Sequence, residues 1–236
     1  AQGRTTGQLN GERLIGADGR VTGIWIDPID REQALIYGYK TQTAPAVLAD
    51  HLERIARGHA DELLSRDATK HLLDELEQVA PAMVQELVPD VMKIADVQKV
   101  LQGLLREAIP IRQLGIILEA LGDAASETTD TDQQIESVRR RIARTLCVGL
   151  RDTTGVLRVI RLNESRGRNL QDITCNAIDQ AVKNLIAGGY PAVLLVDPTL
   201  RRSVKQRMTH AGIDVHVLST AEITADTRVE TVQLIG

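Results

Sequence analysis

Residues 86–125 read ELVPDVMKIADVQKVLQGLLREAIPIRQLGIILEALGDAA, and the apolar residues in this stretch recur at helical spacing. The first stripe follows the pattern i, i+3, i+4, i+7 and i+11 and consists of Val97, Val100, Leu101, Leu104 and Ala108. A second stripe follows the proline and consists of Ile111, Leu114, Leu118 and Leu121. Because proline lacks an N–H group and restricts the preceding residue, Pro110 is expected to separate the stripes and to start the second helix in its first turn. The stretch predicts two short helices packed side by side. Because it contains no group of catalytic side chains, we interpret it as an assembly element.

The composition limits the classes of protein to which this chain can belong. The chain has 236 residues, of which 43% are hydrophobic, and this is enough to bury a core. That core must be aliphatic because there is no Phe, and the candidate aromatic anchors are Trp25, Tyr37, Tyr39 and Tyr190. A net charge of −4 gives no general attraction to phosphate backbones or anionic lipids, so nucleic acid is not expected as a partner.

Two further features concern the redox environment of the chain and its relation to a membrane. Cys147 and Cys175 lie far apart without CxxC spacing, which favours free thiols in a reducing environment. No run approaches the roughly 18 apolar residues that a membrane span requires. The sequence as given is therefore expected to be a soluble fragment.

Local patterns predict an α+β fold with several subdomains. A strand from Val21 is expected to end at Asp27-Pro28, which opens a helix stopped by Gly38, and a long helix is expected from Pro45 to about Leu64. Further helices follow to about residue 150. The last third alternates strands and helices, which predicts a largely parallel sheet. Its expected elements are strands at 156–162, 192–196, 213–218 and 228–235, with helices at 170–185 and 199–211.

Changes in charge and period indicate the subdomain boundaries. Residues 59–144 contain 10 basic and 16 acidic residues, whereas residues 145–236 contain 11 basic and 9 acidic ones. The predicted division is a small mixed α/β piece at 1–38, a helix at 39–58, a helical subdomain at 59–144 and a C-terminal α/β subdomain at 145–236. The connections at 38–45 and 125–132 are expected to join units with separate cores.

The chain resembles the cytosolic domain of the type III secretion export gate, the FlhA family of flagella and injectisomes. The central stretch follows the family pattern ELVP…LQ.VLQ.LL.E..PIR.…ILE.L…A. The same order of motifs is found on both sides: IWID, REQA and GY within 24–39, VLADHLERIARGHADELLSR at 47–66, GVLRVIRL at 155–162, PAVLLV at 191–196 and VLS…EI at 217–223. The resemblance runs from about residue 10 to the end and favours a flagellar member over an injectisome member.

The resemblance implies a non-enzymatic function in protein export. Members of this family form a ring, nonameric by this implication, on the cytoplasmic side of the bacterial inner membrane. They receive export chaperone–substrate complexes and contact other export apparatus proteins. Family members also carry an N-terminal membrane region, so the chain is expected to be a fragment in which residues 39–58 belong to a truncated first subdomain. Most of the subunit contact is expected from the helical region, with Arg139, Arg140 and Arg141 meeting acids of a neighbour.

The implied chaperone-docking dimple departs from the family pattern. Trp25 is the matching position near it. Gly16 and Gly19 occupy the places of an acid and a phenylalanine, and Asp50 replaces a threonine. A carboxylate buried against an apolar chaperone surface is costly without a partner, so weak docking is expected.

Two alternatives remain open from the residues themselves. The first alternative is a small-ligand or phosphate-handling enzyme using Asp197. This residue follows a buried strand, and open α/β sheets bind ligands at the carboxyl ends of their strands. The structural explanation is that Asp197-Pro198 begins a helix, with aspartate as N-cap and proline at N1. The other alternative is a ring scaffold without chaperone binding.

No catalytic residue, cofactor or metal is predicted. Zinc-binding helices place two histidines four residues apart, whereas His51 and His59 are eight apart, about 12 Å along a helix. With His71 they are expected to be ordinary surface histidines. The arginines at 139–141 and Arg144 are expected on a solvated helix face.

Overall fold

The chain divides into two units, Ala1–Gly58 and His59–Gly236. The computed structural model describes residues 9–15, 21–162 and 175–235. Gly16, Gly19 and the first residues of the predicted helix at 170–185 therefore lie outside the described residues.

The first unit contains a small antiparallel sheet and two helices. Strands β1 (Glu12–Ile15) and β2 (Val21–Trp25) pair with Glu12 opposite Trp25. A 3-10 turn at Pro28–Asp30 leads into α1 (Arg31–Ile36), and Asp27 caps that turn by accepting a hydrogen bond from the Ile29 N–H at 3.1 Å. Gly38 follows α1 with a φ of 82°, a left-handed conformation that glycine adopts without a Cβ penalty. The predicted order of strand, Asp-Pro turn, helix and glycine stop is confirmed.

The long helix predicted from Pro45 to about Leu64 is interrupted. Helix α2 (Ala44–Gly58) ends one residue before His59, which leaves the helical conformation, and α3 (Ala60–Leu63) follows. Glycine is a poor helix former, so the weakest point of the predicted helix is where it breaks. The division between the two units falls at the same place. Helix α2 buries none of its residues, and Leu48, Leu52 and Ile55 are exposed along it.

The second unit begins with a helical region. Its elements after α3 are α4 (Arg66–Val79), α5 (Pro81–Leu87), α6 (Ile94–Arg106), α7 (Leu114–Glu127), α8 (Thr131–Arg141) and α9 (Ala143–Leu150). Helices α6 and α7 are the two predicted from the apolar stripes, and each buries most of its own stripe. The exceptions are Ala108 and Ile111, which lie outside the helices, and Leu114, which is partly buried. None of the helices in the described part of the chain is long and apolar enough to cross a bilayer.

The connection between α6 and α7 differs from the prediction. Ala108 lies outside α6 and has a φ of 59°, and α7 begins at Leu114 instead of Pro110. The Ile109 N–H donates to the Leu104 carbonyl at 3.0 Å, the hydrogen bond of a Schellman motif, in which the residue after the C-cap is left-handed. The helix therefore ends through its own C-terminal turn, before the proline can act as a first-turn residue.

The last third forms a four-stranded, fully parallel sheet in the order β5-β4-β3-β6. Its strands and helices are β3 (Val156–Leu162), α10 (Cys175–Ala187), β4 (Val193–Val196), α11 (Arg201–His210), β5 (His216–Ser219) and β6 (Arg228–Ile235). The predicted parallel sheet is confirmed.

The sheet is covered on both faces. One face packs on α10 and α11 through a cluster that includes Ile160, Leu194 and Val217. The opposite face contributes Leu157, Val193 and Leu195 to the same cluster as the buried residues of α6 and α7. The expectation of separate cores across residues 125–132 is therefore wrong. A parallel sheet needs apolar cover on both faces, and the helical region supplies the second layer.

Candidate functional site

The region of the implied dimple is built on the sheet of the first unit. Trp25 is the last residue of β2, and 40% of its surface is exposed. A Cβ at Gly11 would lie 2.0 Å from the Trp25 carbonyl oxygen, so only glycine allows the chain to pass this close to the tryptophan backbone.

A small cavity of about 50 Å³ lies beside Trp25. Its lining residues are Leu14, Gly23, Ile24, Trp25, Ile26, Lys40, Gln42 and Val47. Its walls are both polar and apolar, with the Lys40 ammonium and the Gln42 amide beside the aliphatic side chains.

Asp50 is connected to this cavity through Gln42. The Gln42 Nε2 amide donates to Asp50 Oδ2 at 2.7 Å, and both side chains are exposed. The structure thus brings Trp25 and Asp50 to a common neighbour. The carboxylate also has the hydrogen-bond partner that the sequence left unidentified, which reduces the cost of covering it. Gln42 precedes α2 and is eight residues from Asp50, so no helical spacing indicates the pair.

Asp197 stabilises a turn at the carboxyl end of β4. Its Oδ1 atom accepts hydrogen bonds from the Thr199 N–H at 2.8 Å and from the Thr199 hydroxyl at 2.5 Å. These hydrogen bonds, the hydroxyl first, hold the pKa of Asp197 below its ordinary value. Helix α11 begins at Arg201, with Leu200 as its N-cap, so Asp197 caps the preceding turn and not the helix itself. The prediction of Asp197 as N-cap with Pro198 at N1 is therefore wrong, because the N-cap is Leu200. Asp197 still has a local structural role in the turn.

The histidines and cysteines are placed as follows. His59 and His71 lie next to Glu62 and Glu75 at 3.2 and 3.6 Å. Cys147 is buried and its Sγ donates to the Glu222 carbonyl at 3.2 Å, while Cys175 is partly exposed at the start of α10. Among the described residues no group of three His, Cys, Asp or Glu side chains could hold a metal ion.

Arg139 contradicts the prediction of a solvated arginine face. It is 2% exposed, and its guanidinium donates to Glu222 at 2.7 Å, to Glu107 at 2.9 Å and to the Val217 carbonyl at 3.1 Å. Arg140, Arg141 and Arg144 are exposed as predicted. One turn of a helix points its residues in different directions, so adjacent arginines need not share an environment.

Arg201 completes a buried charge cluster. It is 1% exposed and donates from Nε to Glu136 at 2.7 Å and from Nη1 to Glu107 at 2.8 Å. Burial alone would raise the pKa of Glu107, but Arg139 and Arg201 outweigh it and hold that pKa below its ordinary value. The cluster connects the end of α6, helix α8, helix α11 and the segment after β5, so it holds the helical region against the sheet.

The family follows from the sequence as a whole. Residues 2–228 match the model of the FHIPEP family. The chain belongs to the FHIPEP family. The flagellar biosynthesis protein FlhA of Treponema pallidum (strain Nichols) is 31% identical over an alignment 255 positions long, which covers 99% of this chain and 36% of that relative. The chain thus spans about a third of the length of this curated relative.

Solved structures show the same fold at low sequence identity. The Chlamydia pneumoniae CdsV protein superposes with a TM-score of 0.77 at 20% identity, over 94% of this chain and 70% of that one. The nonameric EPEC SctV-C superposes with a TM-score of 0.71 at 18% identity, over 100% of this chain and 76% of that one. These likenesses confirm the predicted multi-subdomain α+β fold.

Within this FHIPEP family chain, sequence reasoning missed Gln42 and Arg201. The only sequence signal for Arg201 is its position one turn after Asp197-Pro198, at the start of a helix whose first residues can face the core. Its partners Glu107 and Glu136 are 94 and 65 residues away, so only the fold brings them together.

Proposed function

We propose that this chain is the cytosolic module of a type III export gate, part of a ring that receives export substrates on the cytoplasmic side of the bacterial inner membrane. The family match over residues 2–228 carries this proposal. The likeness of the fold to the nonameric EPEC SctV-C supports the ring. Other export apparatus proteins are the further partners in this proposal.

The subunit contacts of the ring come mainly from residues 59–144 in this proposal. Arg140, Arg141 and Arg144 are exposed on α8 and α9 and are available to acids of a neighbouring subunit. Arg139 is removed from this set because its three donor groups are engaged within the chain. Contacts of this kind are weak one by one and gain strength from repetition around a closed ring.

Chaperone–substrate complexes dock in the first unit, next to Trp25 and Asp50. Trp25 is the exposed aromatic of this region and lines a small cavity with polar and apolar walls. Exposed aromatic side chains at such cavities are typical anchors of protein interfaces. Asp50 lowers the affinity in this proposal because a chaperone that covers it must also cover a charge. The hydrogen bond from Gln42 limits that penalty, so we infer weak docking and not a lost function.

The test measures binding of purified flagellar chaperone–substrate complexes to the chain and its variants by calorimetry. Asp50→Thr combined with Gly19→Phe is expected to strengthen binding by about 1–3 kcal/mol, since it removes a charge and adds an aromatic anchor. Trp25→Ala is expected to weaken binding. Glu32→Thr removes another exposed acid of the first unit and is expected to change nothing.

Melting curves of each variant separate loss of binding from loss of folding. Tight binding by the unchanged chain that does not respond to Asp50→Thr would place the docking site elsewhere. No binding by any variant would support a ring scaffold without chaperone docking.

The enzymatic alternative has less support. Asp197 Oδ1 accepts hydrogen bonds from the N–H and the hydroxyl of Thr199, as expected of a residue that stabilises a turn. We therefore infer a non-enzymatic role for the chain.

A further inference from the structure

A second groove, far along the sequence from Trp25 and Asp50, lies between α5 and α7 in the second unit. Its volume is about 450 Å³. Its lining residues are Met83, Glu86, Leu87, Val91, Leu118, Glu119, Gly122 and Asp123. Neither the family assignment nor the proposed docking site uses this groove.

The floor of the groove is apolar and has room for additional side chains. Leu87 and Leu118 are 3% and 1% exposed, while Val91 remains 53% exposed at one side. A Cβ added at Gly122 would meet only Leu87 Cδ1, at an ordinary distance of 3.9 Å. Met83 is partly exposed, and its flexible thioether can adapt to the shape of a ligand. The floor can therefore accept apolar side chains of a partner without rearrangement of the core.

The rim of the groove is acidic on both sides. Glu119 and Asp123 are one turn apart on α7, and Glu86 lies on α5. In the part of the chain that the structure describes, none of these three carboxylates has a cation within ion-pair distance. Some other acids of the helical region are paired, such as Asp96 with Lys99 at 2.9 Å and Asp61 with Arg106 at 3.0 Å, and others such as Asp74 are not paired with any described residue. The rim differs from these in placing three unpaired carboxylates around one apolar floor. Three unpaired carboxylates around an apolar floor attract a partner that carries positive charge.

We propose that this groove binds an amphipathic helix of a partner protein, with lysines or arginines on both sides of its apolar stripe. We infer a helical partner because the groove lies between two helices and offers no sheet edge with which an extended peptide could pair. A helix can instead place side chains at i, i+3, i+4 and i+7 into such a groove. Acids on both walls require cations on both flanks of the partner helix.

A second copy of this chain fits the groove less well. The exposed arginines of α8 and α9, Arg140, Arg141 and Arg144, are accompanied by Val148 as the exposed large apolar side chain of these two helices, so they offer charge but no apolar stripe for the floor. The exposed apolar stripe of α2 is the other internal counterpart, but acids are interspersed among its flanking cations. Asp50 and Glu53 lie on that helix, and Arg57 already pairs with Glu53 at 2.5 Å. The charge pattern therefore favours a different, more basic partner.

The test uses three synthetic helical peptides with the same leucine stripe, flanked by lysines, by glutamates or by glutamines. Binding to the full chain is measured by fluorescence anisotropy at low salt. The lysine peptide is expected to bind at least about tenfold more tightly than the glutamate peptide and to weaken as salt is added. NMR shifts of α5 and α7 residues on titration should locate the peptide in the groove.

Two variants of the chain test the groove itself. Gly122→Leu fills the floor and replaces a helix-interior glycine, so it should preserve the fold and reduce binding about tenfold or more. Glu119→Lys with Asp123→Lys reverses the rim and should reverse the order of preference between the lysine and glutamate peptides. The matched controls are Gly149→Leu, at a glycine with open space around it, and Asp74→Lys, at an exposed acid of α4. Both controls should bind like the parent chain.

Three results would overturn the proposal. The first is equal binding of the lysine and glutamate peptides. The second is binding of the lysine peptide that is unaffected by Gly122→Leu and by reversal of the rim. The third is self-association of the chain that Gly122→Leu abolishes, without peptide binding, which would assign the groove to a second copy. Because the chaperone variants change only the first unit, failure here leaves the docking proposal at Trp25 and Asp50 intact.

Discussion

Glu107 shows how one residue can depend on the whole fold. It follows the last residue of α6 and accepts hydrogen bonds from Arg139 at 2.9 Å and from Arg201 at 2.8 Å. Its pKa lies below the ordinary value of 4.5 despite burial, because two guanidinium groups stabilise the carboxylate. A lowered folded-state pKa gives stability that is present above pH 4.5 and lost as the pH falls through the folded pKa. Glu107→Gln should lower the free energy of unfolding by about 2–3 kcal/mol at neutral pH and reduce the loss of stability in acid.

Urea unfolding between acid and neutral pH measures both effects. The control is Glu127→Gln at an exposed position of α7, where a change within about 0.5 kcal/mol is expected. An acid dependence of Glu107→Gln identical to that of the parent chain would show that Glu107 is not the group that titrates. Arg201→Met provides a second variant of similar volume at the same cluster.

At the scale of elements, the end of α6 sets the path of the chain between the two central helices. Ala108 adopts a φ of 59° at the position that glycine usually occupies in a Schellman motif. A Cβ in the left-handed region costs roughly 1–2 kcal/mol, and glycine loses part of this advantage through its greater entropy when unfolded. Ala108→Gly should therefore raise the free energy of unfolding by about 0.5–1 kcal/mol, measured by urea or thermal melting of the second unit.

Ala82→Gly tests the same replacement at an exposed residue in the first turn of α5, where it is expected to destabilise, by less than the roughly 1 kcal/mol typical of a helix interior. Opposite signs for the two variants would establish the left-handed turn. A loss of stability with Ala108→Gly would mean that the positive φ at residue 108 is not maintained in solution.

At the scale of the whole molecule, the expected assembly depends on surface charge. Arg144 is exposed and lies 3.6 Å from Asp226, an example of a solvent-exposed pair worth roughly 0–1 kcal/mol. Contacts of this strength do not hold subunits together when they are few. We expect the isolated chain to sediment mainly as a monomer at micromolar concentration, and any association to weaken with added salt. A stable ring in high salt, detected by analytical ultracentrifugation, would contradict this expectation and indicate an apolar subunit interface.

The sequence by itself determined the helices and strands with strong periodic patterns. The stripes of α6 and α7, the strand Val156–Leu162 and the strand Arg228–Ile235 follow directly from residue spacing, because each pattern is local. The family resemblance likewise depends on the order of motifs along the chain and was confirmed by the match over residues 2–228. The division at 59–144 and 145–236 stays a prediction.

Only the tertiary structure decided which residues meet across long distances. Arg139 belongs to a run of arginines that was predicted to be exposed, yet it is buried and donates a hydrogen bond to Glu222, which is 83 residues away. The sheet shares a core with α6 and α7 because its second apolar face has to be covered, and no local pattern specifies the cover. The pairing of Gln42 with Asp50 and the acidic groove of α5 and α7 also depend on how segments pack, and no helical or strand spacing indicates them. Local spacing fixes the faces of an element, whereas burial and charge pairing depend on which elements pack against those faces.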